Sequence, residues 1–401
     1  MAHVERRRRN GRVTYRARWR DPSGKEHSKT FTRRIDAERF LLSIEDAKLR
    51  GVYVDPAAGK MPFGAWAERW YKTTAALKPS TRHFYRQLLD NQILPTFERA
   101  TLAGIDRMMV REWVAALIES GLGASRIRNA HAVLVMVLDS AVDAKRLAVN
   151  VAANMRGLPR RPEHEMQFLT AVQVELFAAA IDPRFSILVE TGTYTGLRPG
   201  ELLALKVKRL DLLRGTVRVA EALSEVNGHL TWGTPKNHER RTVRLPRSLC
   251  EELGAWLAGR PHGPEDLVFT APRGGPIREH KLMERYFKPA IRAANEAIAT
   301  LPKDERPAEL PAALRMHDLR HTAASLLIRE GASIKALQRQ LGHKDAVQTL
   351  NRYGHLYPDE LDSLAERLEQ VRERARAEAH AAPMRPHSVP MVVQMAKGAG
   401  Q

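Results

Sequence analysis

The spacing of apolar residues changes period along the chain, and each change marks a boundary. Val13, Tyr15, Ala17 and Trp19 alternate with Thr14, Arg16, Arg18 and Arg20. Period two predicts a strand with one apolar face and one arginine face. Arg9-Asn10-Gly11-Arg12 predicts a hairpin before it, Asp21-Pro22-Ser23-Gly24 a turn after it, and residues 27–31 a third strand. From residue 36 to 50 the period becomes helical, with Phe40, Leu41, Ile44 and Ala47 on one side. Ala57-Ala58-Gly59-Lys60 reads as a linker, and helical pattern then fills 62–155. Its helices are expected at 63–72, from an N-cap at Ser80 to about Ile93, at 106–120 and at 124–143. The last carries Ile127, Ala130, Val133, Leu134 and Leu138 on its apolar side. The basic, proline-bearing run RGLPRRPEHE at 156–165 predicts a domain boundary. From 166 to about 378 helices dominate, with short strands expected at 216–220, 229–232 and 241–245. A charged helix at 359–378 places Leu361, Leu364, Leu368 and Val371 on one stripe, which suits docking on a neighbouring subunit and on its own domain equally. From Ala379 no period is visible, and 379–401 reads as a mobile tail. The expected fold is multidomain and mostly α with small β-sheets.

Charge narrows the partners. Lys and Arg number 65 against 46 Asp and Glu, a formal +19, while 43% of residues are hydrophobic. Such a chain builds real cores and carries a footprint for a polyanion, with nucleic acid foremost. No long basic amphipathic helix with an aromatic face supports a membrane surface instead. One cysteine, Cys250, permits neither an intrachain disulfide nor a cysteine-based metal site. With no apolar signal region and no long uncharged run, a cytoplasmic protein without a membrane contact is expected. Arg16, Arg18 and Arg20, beside the arginines at 6–9, suit a DNA groove. Arg82, Arg86, Arg126 and Arg128 are candidate phosphate contacts, and surface solubility explains each of those four equally well.

Four local patterns carry chemistry. In Thr195-Gly196-Leu197-Arg198-Pro199-Gly200-Glu201, an apolar helix ends at Gly196 and Pro199 suits the first turn of the next, so Arg198 is fixed near a helix N-terminus. That place suits phosphate, although a surface Arg beside a cap is the commoner case. Thr234-Pro235-Lys236-Asn237 lies between two strands and sets Lys236 at a hairpin tip. His317-Asp318-Leu319-Arg320-His321-Thr322 places His317 and Arg320 on one helical face, partly buried beside Ala323, Ala324, Leu326 and Leu327. A buried Arg needs a partner, and phosphate fits. Two histidines with Asp318 do not complete a zinc set. Lastly, Leu341-Gly342-His343-Lys344 is followed, ten residues after His343, by Tyr353 in Asn351-Arg352-Tyr353-Gly354-His355.

Taken together, these patterns resemble the tyrosine recombinase, or phage integrase, family. That family orders Arg, Lys, His-x-x-Arg, His or Trp, then Tyr, and this chain offers Arg198, Lys236, His317, Arg320, His343 and Tyr353 in that order. The resemblance spans nearly the whole chain. It implies an arm-type DNA-binding domain at 1–55, a helical core-binding domain at 62–155 and a catalytic domain at 166–378. The first of these tilts the reading toward a phage or mobile-element integrase. It further implies ATP-independent cleavage and rejoining with no metal or other cofactor. Tyr353 displaces the 5′-oxygen of a phosphodiester to leave a 3′-phosphotyrosine. Arg198, Arg320 and His343 stabilise the transition state, His317 is the general base, and Lys236 protonates the leaving oxygen. Glu201 and Asp318 are expected behind them, orienting Arg198 and Arg320. The implied partners are double-stranded DNA at core and arm attachment sites and a homotetramer on that DNA, with an excisionase and a host DNA-bending factor as further candidates.

Tyr357 and Tyr194 compete for the nucleophile role. Tyr357 precedes Pro358 near a helix end, and Tyr194 sits in apolar pattern. Two other functions remain in view: a type IB topoisomerase-like enzyme, against which the first domain argues, and a catalytically inactive DNA-binding regulator, against which the complete residue set argues.

Overall fold

The computed structural model describes residues 2–9, 12–51, 53–55, 57–161, 165–235, 240–357 and 361–381. At the amino end β1 (His3–Arg9), β2 (Arg12–Arg20) and β3 (Glu26–Phe31) form an antiparallel sheet in that order, covered by α1 (Arg34–Leu49). Ala17 and Trp19 point inward against Ala37, Leu41 and Ile44 of α1. The Trp19 indole donates to the Tyr53 hydroxyl at 2.8 Å, so the strand's apolar face is also polar-satisfied. Arg16, Arg18 and Arg20 lie on the opposite face, as the alternation predicts. Register divides the arginines of β1 between the two faces. Arg7 stands opposite Thr14 and joins the arginine face, whereas Arg6 and Arg8 stand opposite Tyr15 and Val13. The expected turn residues Asn10 and Gly11 lie outside the described residues.

The second core is helical: α2 (Phe63–Thr73), α3 (Pro79–Leu88), α4 (Leu94–Phe97), α5 (Arg107–Glu119) and α6 (Ala124–Asp143). Asp106 caps α5 by accepting from the Met109 amide at 2.8 Å. Ser80 is not a cap. Lys78 takes that position and Pro79 the first helical one, where its fixed φ costs nothing. Nor does α3 run unbroken to Ile93. A wide π turn at 89–93 precedes α4, and Pro95 cannot donate to a preceding carbonyl. The extra residue in the turn lets Leu88, Leu89 and Ile93 all be buried. Along α6, Ile127, Ala130, Val133, Leu134, Val137, Leu138 and Ala141 face the core.

The third and largest unit begins with α7 (Ala171–Ala180), α8 (Pro183–Thr195) and α9 (Pro199–Leu203). Five strands come next: β4 (Leu210–Asp211), β5 (Thr216–Val219), β6 (Ala222–Val226), β7 (His229–Gly233) and β8 (Arg241–Arg244). They form one sheet of order β4-β5-β8 and a separate β6-β7 hairpin. Sequence pattern finds β5, β7 and β8 and misses β4, which is two residues long, and β6, whose run ALSEV carries no clear alternation. The chain continues through α10 (Arg247–Ala258), α11 (Glu279–Leu282), α12 (Lys288–Thr300), α13 (Met316–Arg329), α14 (Ile334–Leu341), α15 (Ala346–Tyr353) and α16 (Leu361–Ala381). On α16, Leu368 and Val371 are exposed. That helix runs past its expected end at 378 to Ala381, and 382–401 lie outside the described residues. Lys78 at the head of α3 donates to the Thr234 and Pro235 carbonyls at 3.2 and 3.0 Å, so the helical unit touches the loop leading toward Lys236. Among the described residues no helix is long and apolar enough to cross a membrane.

Leu134 is fully buried in the middle of the helical core. Leu134→Ala is expected to lower stability by about 2–5 kcal/mol through lost transfer energy and a residual cavity, read as a lower denaturant midpoint.

Candidate active site

Two helices end at left-handed glycines, and the site is built on those ends. Gly196 closes α8 with φ +66°, and a Cβ there would lie 2.6 Å from Leu341. Gly342 closes α14 with φ +65°, and a Cβ there would meet the Arg241 side chain at 2.5 Å. Only glycine fits both the conformation and the space. Arg320, on α13 and 1% exposed, reaches both ends. Its Nη1 donates to the Gly196 carbonyl at 2.6 Å and its Nη2 to the Leu341 carbonyl at 2.7 Å. These are carbonyls that an α-helix leaves without partners, at the negative end of its dipole.

Leu197 is buried and Arg198 extended, so the chain turns sharply into α9. Arg198 donates through its backbone N–H and Nη1 to Glu201, at 3.0 and 2.9 Å, and through Nη2 to the Gly342 carbonyl at 3.1 Å. Glu201 also receives Arg241 Nη1 and Nη2, at 3.0 and 2.7 Å. Burial by itself would raise the Glu201 carboxyl. The hydrogen bonds and charge of Arg241, with the charge of Arg198, outweigh it and hold the carboxyl at about 2. Burial, then Arg198 and Arg241, push the Arg320 guanidinium down to about 9, still charged at neutral pH.

His343 comes directly after Gly342 and bonds through Nδ1 to the Thr349 hydroxyl at 2.8 Å. Its ring stacks on Tyr353 with centroids 6.1 Å apart and planes within 7°. Tyr353 ends α15 and is fully buried. Among the described residues its hydroxyl pairs with Nδ1 of His321 at 2.8 Å. His317, one turn before His321, meets that ring edge-on at 5.0 Å. Both histidines border an open cavity of about 1040 Å³ walled by Arg315 and Arg352. Burial, reinforced by neighbouring charges, holds His317 and His321 at about 4 and His343 at about 3. All three rings are therefore neutral at pH 7. Burial raises the Tyr353 phenol, and Arg320, Arg352 and Arg198 pull it back.

Five of the six residues expected from the sequence converge here: Arg198, His317, Arg320, His343 and Tyr353. Lys236 lies outside the described residues. Glu201 bonds the Arg198 backbone and side chain. Asp318 does not reach Arg320. It accepts from the Arg315 backbone at 2.8 Å and its side chain at 3.2 Å instead, because it occupies the third position of α13 and closes that helix's N-terminus. Sequence reasoning missed Arg241, His321 and Thr349. His321 lies four residues after His317, hence on the same helical face, and Thr349 one turn before Tyr353, so periodicity carries a signal for both. Arg241 meets Glu201 across 40 residues, and no local pattern announces it.

Tyr194 donates to Glu175 at 3.4 Å and Tyr357 to the Ala332 carbonyl at 3.2 Å, neither of them within the arginine cluster. Away from the cluster, Arg16 bonds Ser28 at 2.7 Å, Arg18 comes within 3.9 Å of Glu5 and Arg20 within 3.4 Å of Glu26. Arg82 lies over Tyr71 at 5.0 Å. Arg86 is held between Glu68 and Asp90. Arg126 lies over Phe84 and bonds Gln92 at 3.3 Å, and Arg128 is half-buried beside it on α6.

Arginines gathered beside a buried tyrosine, within these helices, suit a phosphodiester, and comparison with known proteins supplies the class. Residues 167–360 match the model of the phage integrase family. The putative prophage phiRv2 integrase of Mycobacterium tuberculosis is 29% identical over 85% of this chain and 88% of its own. Two solved structures share the fold. The Tn1549 transposon integrase, in complex with transposon right-end DNA, has a TM-score of 0.64 at 20% identity over 77% of this chain and 99% of that one. The lambda integrase tetramer on a Holliday junction has a TM-score of 0.51 at 19% identity over 86% and 96%. Residues 167–360 are thus a phage integrase family domain, and the comparisons support a tyrosine recombinase.

The electrostatics of the cluster lead to two expected outcomes. Glu201→Ala leaves Arg198 and Arg241 facing each other without their shared carboxylate. Removing one partner of a buried pair costs about 3–5 kcal/mol, so the melting temperature should fall clearly; an unchanged melting temperature would contradict the role given to Glu201. Secondly, His317, His321 and His343 titrate below the ordinary value of 6.5. Between about pH 4 and 6.5 the unfolded chain binds more protons than the folded one, so stability is full above 6.5 and declines as pH falls toward 4. Denaturation at pH 7.5, 6 and 5 should show midpoints falling in that order, with a smaller slope in His343→Gln.

Proposed function

We propose that Tyr353 is the nucleophile of this tyrosine site-specific recombinase, and that it integrates or excises a phage or other mobile element. The observation that carries this reading is the meeting of Arg198, Arg320 and His343 around Tyr353, residues far apart along the chain. In the proposed step the phenolic oxygen attacks the scissile phosphorus in line. The 5′-oxygen leaves and a 3′-phosphotyrosine results. A 5′-hydroxyl from a partner duplex then reverses the reaction, and the retained bond energy makes ATP unnecessary. Arg198 and Arg320 are planar, multiply donating cations suited to the non-bridging oxygens. A preorganised donor of this kind contributes about 3–4 kcal/mol to the transition state. His343, neutral and held by Thr349, supplies a hydrogen bond. His317 faces the cavity at the position where the family order sets a general base, and Lys236 is the proposed acid.

DNA is the substrate. The proposed division of labour assigns arm-type sites to residues 1–55, through the face of Arg16, Arg18 and Arg20, and core sites to a clamp of 62–155 and 166–378. Of the helical-domain arginines, Arg82, Arg126 and Arg128 suit phosphate better than Arg86, which two carboxylates already hold. Multimers on DNA fit recombination of two duplexes, and a homotetramer is the proposed assembly, as the lambda integrase tetramer is on its junction. An excisionase and a host bending factor are proposed accessory partners, and the cytoplasm the proposed place of action.

Covalent trapping tests this. Wild type and Tyr353→Phe are incubated with nicked duplexes carrying the DNA junctions that flank the gene, then resolved on a denaturing gel. A DNA-linked band is expected from wild type alone. A band that persists in Tyr353→Phe would reassign the nucleophile, with Tyr357 next in line. Salt-sensitive binding without a band from either protein would favour a non-catalytic regulator.

A further inference from the structure

The tyrosine hydroxyl is paired with a histidine that the ordered family pattern leaves without a part. His321 is 3% exposed and sits on α13 directly after Arg320. Its Nδ1 is 2.8 Å from the Tyr353 hydroxyl. The ring is fixed on two further sides, edge-on to Phe168 with centroids 6.4 Å apart and to His317 at 5.0 Å. His317 stands one ring further from the phenol and is the more open of the two to the cavity.

We propose that His321 takes the proton from Tyr353 during DNA cleavage and returns it during rejoining, which leaves His317 to face the phosphate. The inference rests on Tyr353 being the nucleophile. Its proton balance closes. As the phenolic oxygen bonds to phosphorus, its proton passes to Nδ1 of the neutral imidazole. The P–O5′ bond breaks, and the 5′-oxygen takes a proton from a separate acid. In rejoining, the 5′-hydroxyl bonds to phosphorus and gives its proton back to that acid, the P–O bond to tyrosine breaks, and the imidazolium returns its proton to the phenolate. One observation favours His321 over His317, and two more suit it to the role. It is already within hydrogen-bond reach of the proton, which is the first requirement of a base. Its Nδ1 accepts only as the neutral ring, and burial together with the charge of His317 keeps the ring neutral at pH 7. Arriving phosphate adds negative charge to that of Asp318 and offsets Arg352 and Arg320 beside the ring, which favours the imidazolium as the reaction proceeds.

His321→Asn keeps an acceptor near the Nδ1 position and cannot carry the proton away, so it separates proton transfer from positioning. The substrate pair is a nicked junction duplex and the same duplex with sulfur replacing the bridging 5′-oxygen. A thiolate leaves without an acid but still requires a deprotonated phenol. With wild-type DNA affinity, His321→Asn is expected to form the covalent complex at least about 10²-fold more slowly. The sulfur substrate should not restore it, and added imidazole should partly restore His321→Ala. His321→Asn within threefold of wild type, or full rescue by sulfur, would overturn the proposal. A larger defect of the same non-rescued kind in His317→Asn would return the role to His317. Thermal melting of each variant identifies any that fails to fold, and Asn then stands in for Ala. Should Tyr353→Phe still become linked to DNA, the nucleophile assignment itself fails, whatever the His321 variants do.

Discussion

The buried guanidinium of Arg320 holds this site together. A cation removed from water is costly unless its donors are met. Here they are met by the last carbonyls of two helices, α8 and α14, whose dipoles place partial negative charge at that point. The arrangement works only if both helices stop abruptly at the same place, which Gly196 and Gly342 ensure with left-handed φ and no side chain. Arg320 therefore joins three helices and fixes the residues just beyond two of them, Arg198 past the first glycine and His343 past the second.

Charge balance explains why such a cluster suits phosphate. Arg198, Arg241 and Arg320 surround one carboxylate, Glu201, which is held ionised. Glu201 cancels part of the positive charge, and the remainder faces the tyrosine in a region of low dielectric where each donor acts more strongly than in water. A phosphodiester brings one negative charge, and its pentacoordinate transition state concentrates more on the oxygens. Preorganisation then matters most, because Arg198 and Arg320 are already held in place by protein carbonyls and Glu201 before any DNA arrives.

How much of this is legible in the sequence depends on separation along the chain. Alternation over residues 13–20 reveals the arginine-faced strand, and helical period locates α5 and α6 within a residue or two at each end. Cap residues are harder: helical period counts Asp106 into the helix that it in fact caps, and Ser80 misleads because Pro79 prefers the first helical position. The wide turn at 89–93 is invisible because it answers to the burial of Leu88 and Leu89 from outside. In the site, local motifs supply Arg198, Arg320, His343 and Tyr353, yet they do not show what each side chain touches. Asp318 stands two residues from Arg320 and bonds Arg315 instead. Arg241 has no signal, since its meeting with Glu201 depends on how β8 packs beside α9.

One helix face carries two duties. His317, Arg320 and His321 occupy spacing i, i+3 and i+4 on α13, so they project together. Arg320 is tied to the helix ends that set the arginine cluster, and His321 is tied to Tyr353. Tyr353 rides on α15, a two-turn helix whose outer side exposes Val347 and Leu350, while its inner side is held by the stack on His343 and the bond to His321. The Tyr353 hydroxyl is thus placed by α13 and α15, whereas Arg198 and Arg320 are anchored through Glu201 and the carbonyls of Gly196, Leu341 and Gly342.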